Sequence, residues 1–269
     1  MNFSVIENFC EGKSKPELCE DRVVITSHFA AVIDGATSSA PLASGKPGGI
    51  VAAEAIAAVI HTMPAHITAK DFIKQATQAV FNATGDWPDE SKNRPCAAVA
   101  VYSAHHQEIW RVCDCHIRLD ETVHDGEIEA GRIPYTYRSA IVRAKIALGQ
   151  TTIEAEQQHP VHQQPFWPFV EVQNIFTNHP TDPMGFGAIN GLNVPEKFIE
   201  VFSTKGVKSI VLCSDGFFSP APTLQDALKE LERLRTEDPL LCYHVNGSRP
   251  FPIGGKYFDD VSYIRLEQN

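Results

Sequence analysis

The chain has 269 residues, of which 43% are hydrophobic and 21% charged, and its formal net charge is -10. This composition is typical of a globular chain long enough to build a full hydrophobic core, and it excludes a disordered or fibrous protein. The acidic balance argues against a broad surface for nucleic acid or anionic membrane, although a metal ion can still supply the positive charge that a phosphate ligand needs.

Neither a leader sequence nor a membrane span is predicted. The N-terminus has no basic region followed by an apolar run, and no apolar stretch reaches the roughly 20 residues that a bilayer requires. The seven cysteines have no spacing typical of a disulfide framework. We therefore expect a cytoplasmic protein that binds neither nucleic acid nor membrane.

The first third of the chain predicts a hairpin and two helices. Residues 22–26 and 29–33 are short β-type runs separated by a break, which is typical of a hairpin. Residues 50–62 are rich in Ala, Ile and Val, and residues 70–84 place apolar side chains close to helical spacing. Both of these later segments are predicted helices, and the turn-type residues at 85–89 are expected to end the second one.

A β-rich block follows, and then a mixture of helices and strands. Apolar runs at 97–102, 108–113 and 117–119 predict a three-stranded antiparallel meander. The remaining segments are predicted as helices at 137–148, 151–158 and 223–235, an irregular aromatic- and Pro-rich stretch at 160–183, and strands at 198–202, 209–213 and 258–266. Since grouped strands and grouped helices run on without a linker, we expect one α+β domain spanning residues 1–269.

Several carboxylates stand at the ends of apolar runs. They are Asp34 before Gly35, Asp215 before Gly216, and Asp260 beside Asp259, with Glu20 and Asp21 preceding the first hairpin. A strand end holds a side chain rigidly, and Gly after Asp lets a backbone carbonyl approach a ligand. A single Asp-Gly is usually a turn. The ordered set, however, indicates a site for a hard divalent cation, which prefers oxygen ligands.

In this order the motifs resemble those of the metal-dependent serine/threonine protein phosphatases of the type-2C (PPM) class, and the resemblance covers nearly the whole chain. The matching segments are 20–21, 31–35, 109–115, 185–191, 210–217 and 258–262. The resemblance implies a four-layer αββα sandwich of two mostly antiparallel sheets flanked by helices. It also implies two Mn²⁺ or Mg²⁺ ions between the sheets at one end.

The resemblance implies a role for each matching acidic residue. The metal ligands would be Asp34, the Gly35 carbonyl, Asp215, Asp260 and, for a third ion that some bacterial members carry, Asp114. The catalytic set would be Asp34, which bridges the two ions, with Asp215, Glu20 and Asp21, the last two orienting coordinated waters. In such a site a hydroxide bridging the metals attacks the phosphorus of a phosphomonoester, and no covalent phosphoenzyme forms.

The sequence departs from the family pattern around the substrate. Ala36 follows Asp34-Gly35 where many eukaryotic members have a His, Thr37-Ser38 replaces the usual Gly-Gly, and Cys113 replaces the Gly of Gly-Asp-Ser. No Arg precedes Glu20 to grip phosphate, so Lys13 or Lys15 is the candidate, as a point charge. These changes affect the expected substrate grip more than the expected metal binding.

Three functions remain open at this point. The intact acidic set favours a phosphoprotein phosphatase, the altered substrate grip also fits a non-catalytic relative that binds a partner, and the same chemistry fits a small phosphorylated metabolite. Cys113, Cys115 and His116 favour zinc only weakly, since Cys-x-Cys is not the usual structural spacing. The aromatic cluster at 166–169 predicts core packing or a flap that shapes the substrate site.

Overall fold

The computed structural model describes residues 3–36, 42, 45–85 and 94–268, and over them the chain forms two five-stranded sheets. The first sheet has the order β1 (Phe3–Glu11), β10 (Val261–Gln268), β9 (Ser209–Cys213), β6 (His116–Leu119) and β7 (Thr122–His124). The second has the order β2 (Arg22–Ile25), β3 (Phe29–Ala36), β4 (Cys96–Ser103), β5 (Glu108–Val112) and β8 (Glu200–Ser203). Every neighbouring pair of these strands is antiparallel.

Helices α1 (Gly48–Thr62), α2 (Ala69–Thr84) and α6 (Leu224–Glu237) cover the outer faces of the sheets. The other helices are α3 (Glu129–Ala147), α4 (Ile153–Gln158) and α5 (Trp167–Val170). One apolar core lies between α1, α2 and the second sheet, another lies between the two sheets, and a third lies between the first sheet and α6. The four-layer αββα arrangement of an α+β fold is therefore confirmed.

The central strands are apolar on both faces because both faces are covered. Along β3, Ala30 and Val32 face the layer between the sheets, whereas Ala31 and Ile33 face α1 and α2. Such strands appear in the sequence as continuous apolar runs. This explains why β3 and β9 were predicted closely from the sequence.

The predicted three-stranded meander is wrong. The chain pairs β4 with β5, but β6 leaves that sheet and pairs with β9 in the other one. Between β5 and β6, Cys113 adopts a left-handed conformation with a φ of 73°, and the chain turns at Asp114. Since β5 and β6 are both buried, their local pattern does not reveal that they belong to different sheets. The crossing places Asp114 at the end of both sheets.

Three elements differ from the prediction for identifiable reasons. The edge strands β1 and β7 are not predicted, because β1 is half-buried or exposed after Phe3 and has no continuous apolar run, and β7 is three residues long. Helix α3 begins at Glu129, well before the predicted start, and it contains Pro134 in its second turn. A Pro inside an apolar pattern usually indicates a helix boundary, so the predicted helix starts after Pro134.

Two expectations concern residues outside the described ones. The altered loop at Thr37 and Ser38 is not among the described residues, and neither is the segment 86–89 that was predicted to end the second helix. The last described residue there is Gly85, which caps α2 with a φ of 66°. Among the described residues, no helix is both long enough and apolar enough to cross a lipid bilayer.

Candidate metal centre and active site

A cavity of about 710 Å³ opens at the end of the sandwich where β3, β5 and β9 finish and β4 and β10 begin. Four carboxylates from these strand ends line it, namely Asp34, Asp114, Asp215 and Asp259. Strands β9 and β10 are antiparallel neighbours, so the residue after one and the residue before the other lie at the same edge. The topology thus gathers acidic groups from distant parts of the sequence.

Gly35 allows the first of these groups to lie against neighbouring backbone. A Cβ at this position would lie 2.6 Å from the carbonyl oxygens of both Glu20 and Gly49. No side chain fits at such a distance, so glycine is required for β3 to approach the start of α1 and the Glu20 segment. Gly35 therefore serves the packing around Asp34, and the role of its carbonyl as a metal ligand stays a prediction.

Burial and mutual repulsion raise the pKa values of the central carboxylates. Burial raises the pKa of Asp34 well above its ordinary range, and the charges of Asp21, Asp215 and Asp114 raise it further. Burial, with the charges of Asp114 and Asp259, raises the pKa of Asp215 to about 7, although a hydrogen bond with Asp34 counteracts part of the rise. Carboxylates that repel one another in a buried site are stabilised by any cation that enters it.

Asp114 is held at the turn between the two sheets. Burial raises its pKa, and hydrogen bonds from Cys113 and from backbone counteract that rise. The turn is tight, because a Cβ on Gly126 would lie 2.0 Å from the carbonyl oxygen of Asp114. Next to it, the Nδ1 atom of His116 accepts the backbone N–H of Gly126 at 3.0 Å. His116 also lines the cavity.

The adjacent residues Asp259 and Asp260 have different surroundings. The two oxygens of Asp260 accept backbone N–H groups, from Lys13 at 2.7 Å and from Glu20 at 2.9 Å. Asp260 is 4% exposed and does not line the cavity, whereas Asp259 does. The role of Asp260 as a metal ligand stays a prediction, and the structure presents Asp259 as the carboxylate that faces the cavity.

Two cations flank Asp259. The Nζ atom of Lys13 donates to its Oδ1 at 2.8 Å and lies 3.5 Å from Asp260 and 3.7 Å from Glu20. The guanidinium of Arg249 lies 3.5 Å from its Oδ2. Burial acts to raise the pKa of Asp259, but the charges of Arg249 and Lys13 outweigh it and lower that pKa. Asp259 is therefore ionised at neutral pH.

The remaining predicted residues form a second layer or lie apart. Glu20 and Asp21 are buried beside the cavity without lining it, and Asp21 accepts a hydrogen bond from the Ser262 hydroxyl at 2.7 Å. Lys13 forms an ion pair with Asp259, and Lys15 is exposed. The structure therefore brings together Asp34, Gly35, Asp114 and Asp215 in one lining, with Glu20, Asp21, Asp260 and Lys13 directly behind it.

Sequence reasoning missed the cationic and aromatic part of the lining. Arg94 and Arg249 line the cavity, and nothing in their local sequence distinguishes them from the other arginines. Tyr135 and Phe166 also line it, and their rings meet edge to face at 5.8 Å. Trp167 follows on the same wall. The aromatic cluster that begins at Phe166 was predicted as core packing or a substrate flap, and Phe166 both is buried and faces the cavity.

The donor set fits a hard divalent cation in its chemistry. Within the described residues, no three His, Cys, Asp or Glu side chains converge closely enough to form a ready coordination sphere. The cavity nevertheless offers carboxylate oxygens from four segments, which are the ligands that Mg²⁺ and Mn²⁺ prefer. The ammonium group of Lys13 lies among Asp259, Asp260 and Glu20, on the side of the cluster that faces away from the cavity, and balances part of their negative charge.

Solved structures resemble the chain over almost its whole length. A bacterial serine phosphatase is 12% identical, with 98% of this chain and 97% of that chain covered and a TM-score of 0.50. PppA, a regulatory component of the type VI secretion system of Pseudomonas aeruginosa, is 13% identical, with 100% and 99% covered and a TM-score of 0.50. The PPM Ser-Thr phosphatase MsPP from Mycobacterium smegmatis is 14% identical, with 99% and 100% covered and a TM-score of 0.48.

No protein-family model and no curated protein matched the chain. At the identities of these solved structures, the likeness establishes the fold, and it agrees with the two antiparallel sheets and flanking helices described above. The resemblance inferred from the ordered acidic motifs is confirmed at that level. The chain has the fold of the solved bacterial serine phosphatase and of PppA.

Proposed function

We propose that the protein is a metal-dependent phosphoric monoester hydrolase that acts on serine/threonine phosphoproteins. The observation that carries this proposal is the lining of Asp34, Asp114, Asp215 and Asp259 at one end of the sandwich. Asp34, Asp215 and Asp259, with the Gly35 carbonyl, would hold two Mn²⁺ or Mg²⁺ ions, and Asp114 would contribute to a third. Such ions polarise a phosphoryl group and make water nucleophilic at neutral pH.

The residues of the chain position the substrate around that chemistry. Glu20 and Asp21, buried directly behind the lining, would orient waters bound to the metal ions. Arg249 and Arg94 present guanidinium groups to the cavity, and a guanidinium binds phosphate oxygens well. We assign the phosphate grip to Arg249, since it lies beside Asp259. Lys13 and Lys15 as phosphate ligands stay predictions, as does the cytoplasmic location.

Release of phosphate from a phosphothreonine peptide tests the proposal. Activity is expected to require Mn²⁺ or Mg²⁺ and to fall by about 100-fold or more in Asp34→Asn and in Asp215→Asn, because each removes a charge that the cation needs. Glu121→Gln is the matched control, because this carboxylate is fully exposed. Metal-independent turnover, or wild-type rates in both site variants, would exclude the proposal.

The cavity also favours a second candidate, a phosphatase acting on a small molecule. A volume of about 710 Å³ is within the range of roughly 300–1,000 Å³ that small-molecule sites occupy. Its wall includes the aromatic rings of Tyr135, Phe166 and Trp167. Comparing kcat/KM for an aromatic phosphate ester and for the phosphopeptide separates the candidates. Trp167→Ala is expected to raise the KM of the ester only if the ester is the natural class of substrate.

A further inference from the structure

Two cysteines lie in contact beside the acidic cluster, and the proposed phosphatase chemistry does not use them. Cys10 stands near the end of β1 and is exposed, whereas Cys19 is buried directly before Glu20. Their Sγ atoms are 3.9 Å apart. Both sulfurs also lie near one acceptor, the carbonyl oxygen of Asp21, at 3.6 Å for Cys10 and 3.8 Å for Cys19.

Backbone packing keeps the two thiols together. A Cβ on Gly12 would lie 3.1 Å from the Cβ of Cys19, so the strand that carries Cys10 and the segment that carries Cys19 already approach closely. Cys10 is also fixed by its pairing with Ser262 in β10. A disulfide has an S–S distance of about 2.05 Å, so the sulfurs need to approach by only about 2 Å. A side-chain rotation with a small backbone shift provides such a movement.

We propose that Cys10 and Cys19 are a redox modification site that forms a reversible disulfide, with a low-molecular-weight disulfide such as oxidised glutathione as the oxidant. Cys10, the more exposed of the two, reacts first: its thiol loses its proton to solvent, and its sulfur attacks one sulfur of the oxidant, breaks the S–S bond and releases one glutathione thiolate. The contact with Cys19 and burial raise the pKa of the Cys10 thiol, so exposure and not acidity decides this order. Cys19 then loses its proton to solvent, attacks the Cys10 sulfur and releases the second glutathione. Two protein thiols are oxidised by two electrons, and one oxidant molecule is reduced to two thiols.

The disulfide would act on the acidic cluster through the loop between the two cysteines. That loop carries Lys13, which contacts Asp259 and Asp260. At the other end, the carbonyl of Cys19 accepts a hydrogen bond from Arg22 at 2.7 Å, and the next backbone N–H, of Glu20, donates to Asp260. Drawing Cys19 toward Cys10 therefore shifts the groups that hold Asp260 and Lys13 in place. A thiol pair in a reducing compartment suits such a reversible role.

The bond itself is tested without reference to activity. The full-length protein is equilibrated in buffers with different ratios of oxidised to reduced glutathione, free thiols are blocked, and the digest is analysed by mass spectrometry. We expect a linked peptide pair containing Cys10 and Cys19, two fewer free thiols, and full reversal by dithiothreitol. Cys242→Ala, which removes a distant buried thiol, is expected to keep the link. No Cys10–Cys19 link in the most oxidising buffer would overturn the proposal.

Single variants separate the two steps. Cys19→Ser is expected to stop at a mixed disulfide between glutathione and Cys10, whereas Cys10→Ser is expected to form no linked product. Glutathione labelling of Cys10→Ser as strong as that of Cys19→Ser would contradict the order of attack. The coupling to the acidic cluster rests on the proposed function, and it is measured by calorimetric titration with Mn²⁺. The dissociation constant for Mn²⁺ is expected to differ by at least about threefold between the oxidised and the reduced wild type. The oxidant is expected to leave the dissociation constant of Cys10→Ser unchanged.

The two proposals can fail separately. If no sample releases phosphate but the linked peptide forms, the proposed function fails and the modification site stands. If phosphate release is Mn²⁺-dependent and no link forms, the proposed function stands and the modification site fails. Equal Mn²⁺ affinities for the oxidised and reduced wild type would overturn the coupling between the disulfide and the cluster.

Discussion

At the residue scale, the surroundings of Asp34 and Asp215 favour binding of a cation at the cost of stability in the metal-free protein. Burial and neighbouring acidic groups raise the pKa values of both. A raised carboxyl pKa means that the ionised form is less stable in the folded protein than in water. The fold tolerates this cost because the surrounding core is large, and proteins commonly place such destabilised groups at functional sites.

This cost predicts a pH dependence of stability in the metal-free protein. Asp215 has a pKa of about 7 when folded, against roughly 4 when unfolded. Between these pKa values the folded state binds more protons at Asp215 than the unfolded state does. The contribution of Asp215 to the free energy of unfolding is therefore full below about pH 4, falls by at most about 1.4 kcal/mol per pH unit as pH rises, and is lost above about pH 7. Thermal unfolding in chelator between about pH 5 and pH 8 measures this fall.

Asp215→Asn is the informative variant in that experiment. It removes the titrating group, so its unfolding temperature is expected to fall less with rising pH than that of the wild type. Glu121→Gln, at a fully exposed position, is expected to follow the wild type. An unchanged slope in Asp215→Asn would show that other groups control the pH dependence.

Gly35→Ala provides a second test at the residue scale. The added Cβ would lie 2.6 Å from two backbone oxygens, so either β3 or the start of α1 must shift. Gly206→Ala is the matched control, because Gly206 has a φ of 81° and an added Cβ there would meet no atom within 4 Å. The control is expected to lower the free energy of unfolding by about 1 kcal/mol from backbone strain alone. Gly35→Ala is expected to lower it clearly more, and chemical denaturation measures both losses. Equal losses would contradict the proposed packing role.

The sequence predicted some of these residues and not others, for a physical reason. Asp34, Asp114 and Asp215 were found because each stands in a short motif at the end of an apolar run. Asp259 was passed over for its neighbour, since two adjacent acidic residues look alike until the backbone shows which side chain faces the cavity. Arg249 was missed because its role depends on a contact with Asp259, which no local pattern reports.

At the element scale, α3 is tied to the segment that carries Arg249. Arg138, in the middle of α3, is fully buried and donates to Gln164 at 3.1 Å and to the carbonyl oxygens of Leu240 at 3.0 Å and Gly247 at 3.2 Å. One guanidinium thus connects the helix, the segment directly before Phe166 and the loop before Arg249. The aromatic wall and the proposed phosphate grip depend on the same anchor.

Arg138→Met is expected to lower the free energy of unfolding by about 3 kcal/mol or more, because it leaves buried carbonyl groups without donors. The activity that remains should show a raised KM, since the Arg249 segment loses its anchor. Arg143→Met is the control on the same helix. Arg143 is exposed and stacks over Tyr243 at 5.3 Å, so its loss should cost about 1 kcal/mol or less. Similar losses in both variants would contradict the anchoring role.

The elements predicted well are those buried on both faces or clearly amphipathic. Strands β3 and β9 and helices α2 and α6 fall into this group, whereas the half-exposed edge strand β1 was missed. The assignment of β6 to a sheet could not be derived from its own residues. It depends on pairing with β9, a strand that lies about ninety residues further along the chain in sequence.

At the scale of the whole molecule, the acidic cavity lies where both sheets end, so occupying it should stabilise the complete sandwich. The single domain predicted for residues 1–269 stays a prediction, and one cooperative unfolding transition would support it. A ligand that binds only the folded state stabilises it by about 2.7 kcal/mol at 100 times its dissociation constant. We therefore expect Mn²⁺ to raise the unfolding temperature in a concentration-dependent manner, and a chelator to reverse the increase.

Asp34→Asn distinguishes this metal effect from a general effect of salt. Removing one charge from the repelling cluster is expected to make the chelated variant more stable than the chelated wild type, because burial and the neighbouring acidic groups disfavour ionised Asp34. The same change removes a cation ligand, so the increase with Mn²⁺ should shrink or vanish. One substitution is therefore expected to raise the stability of the metal-free protein and to reduce the stabilisation by Mn²⁺. A variant that is destabilised in chelator and still responds fully to Mn²⁺ would place the cation away from Asp34, and the proposed centre would then have to be abandoned.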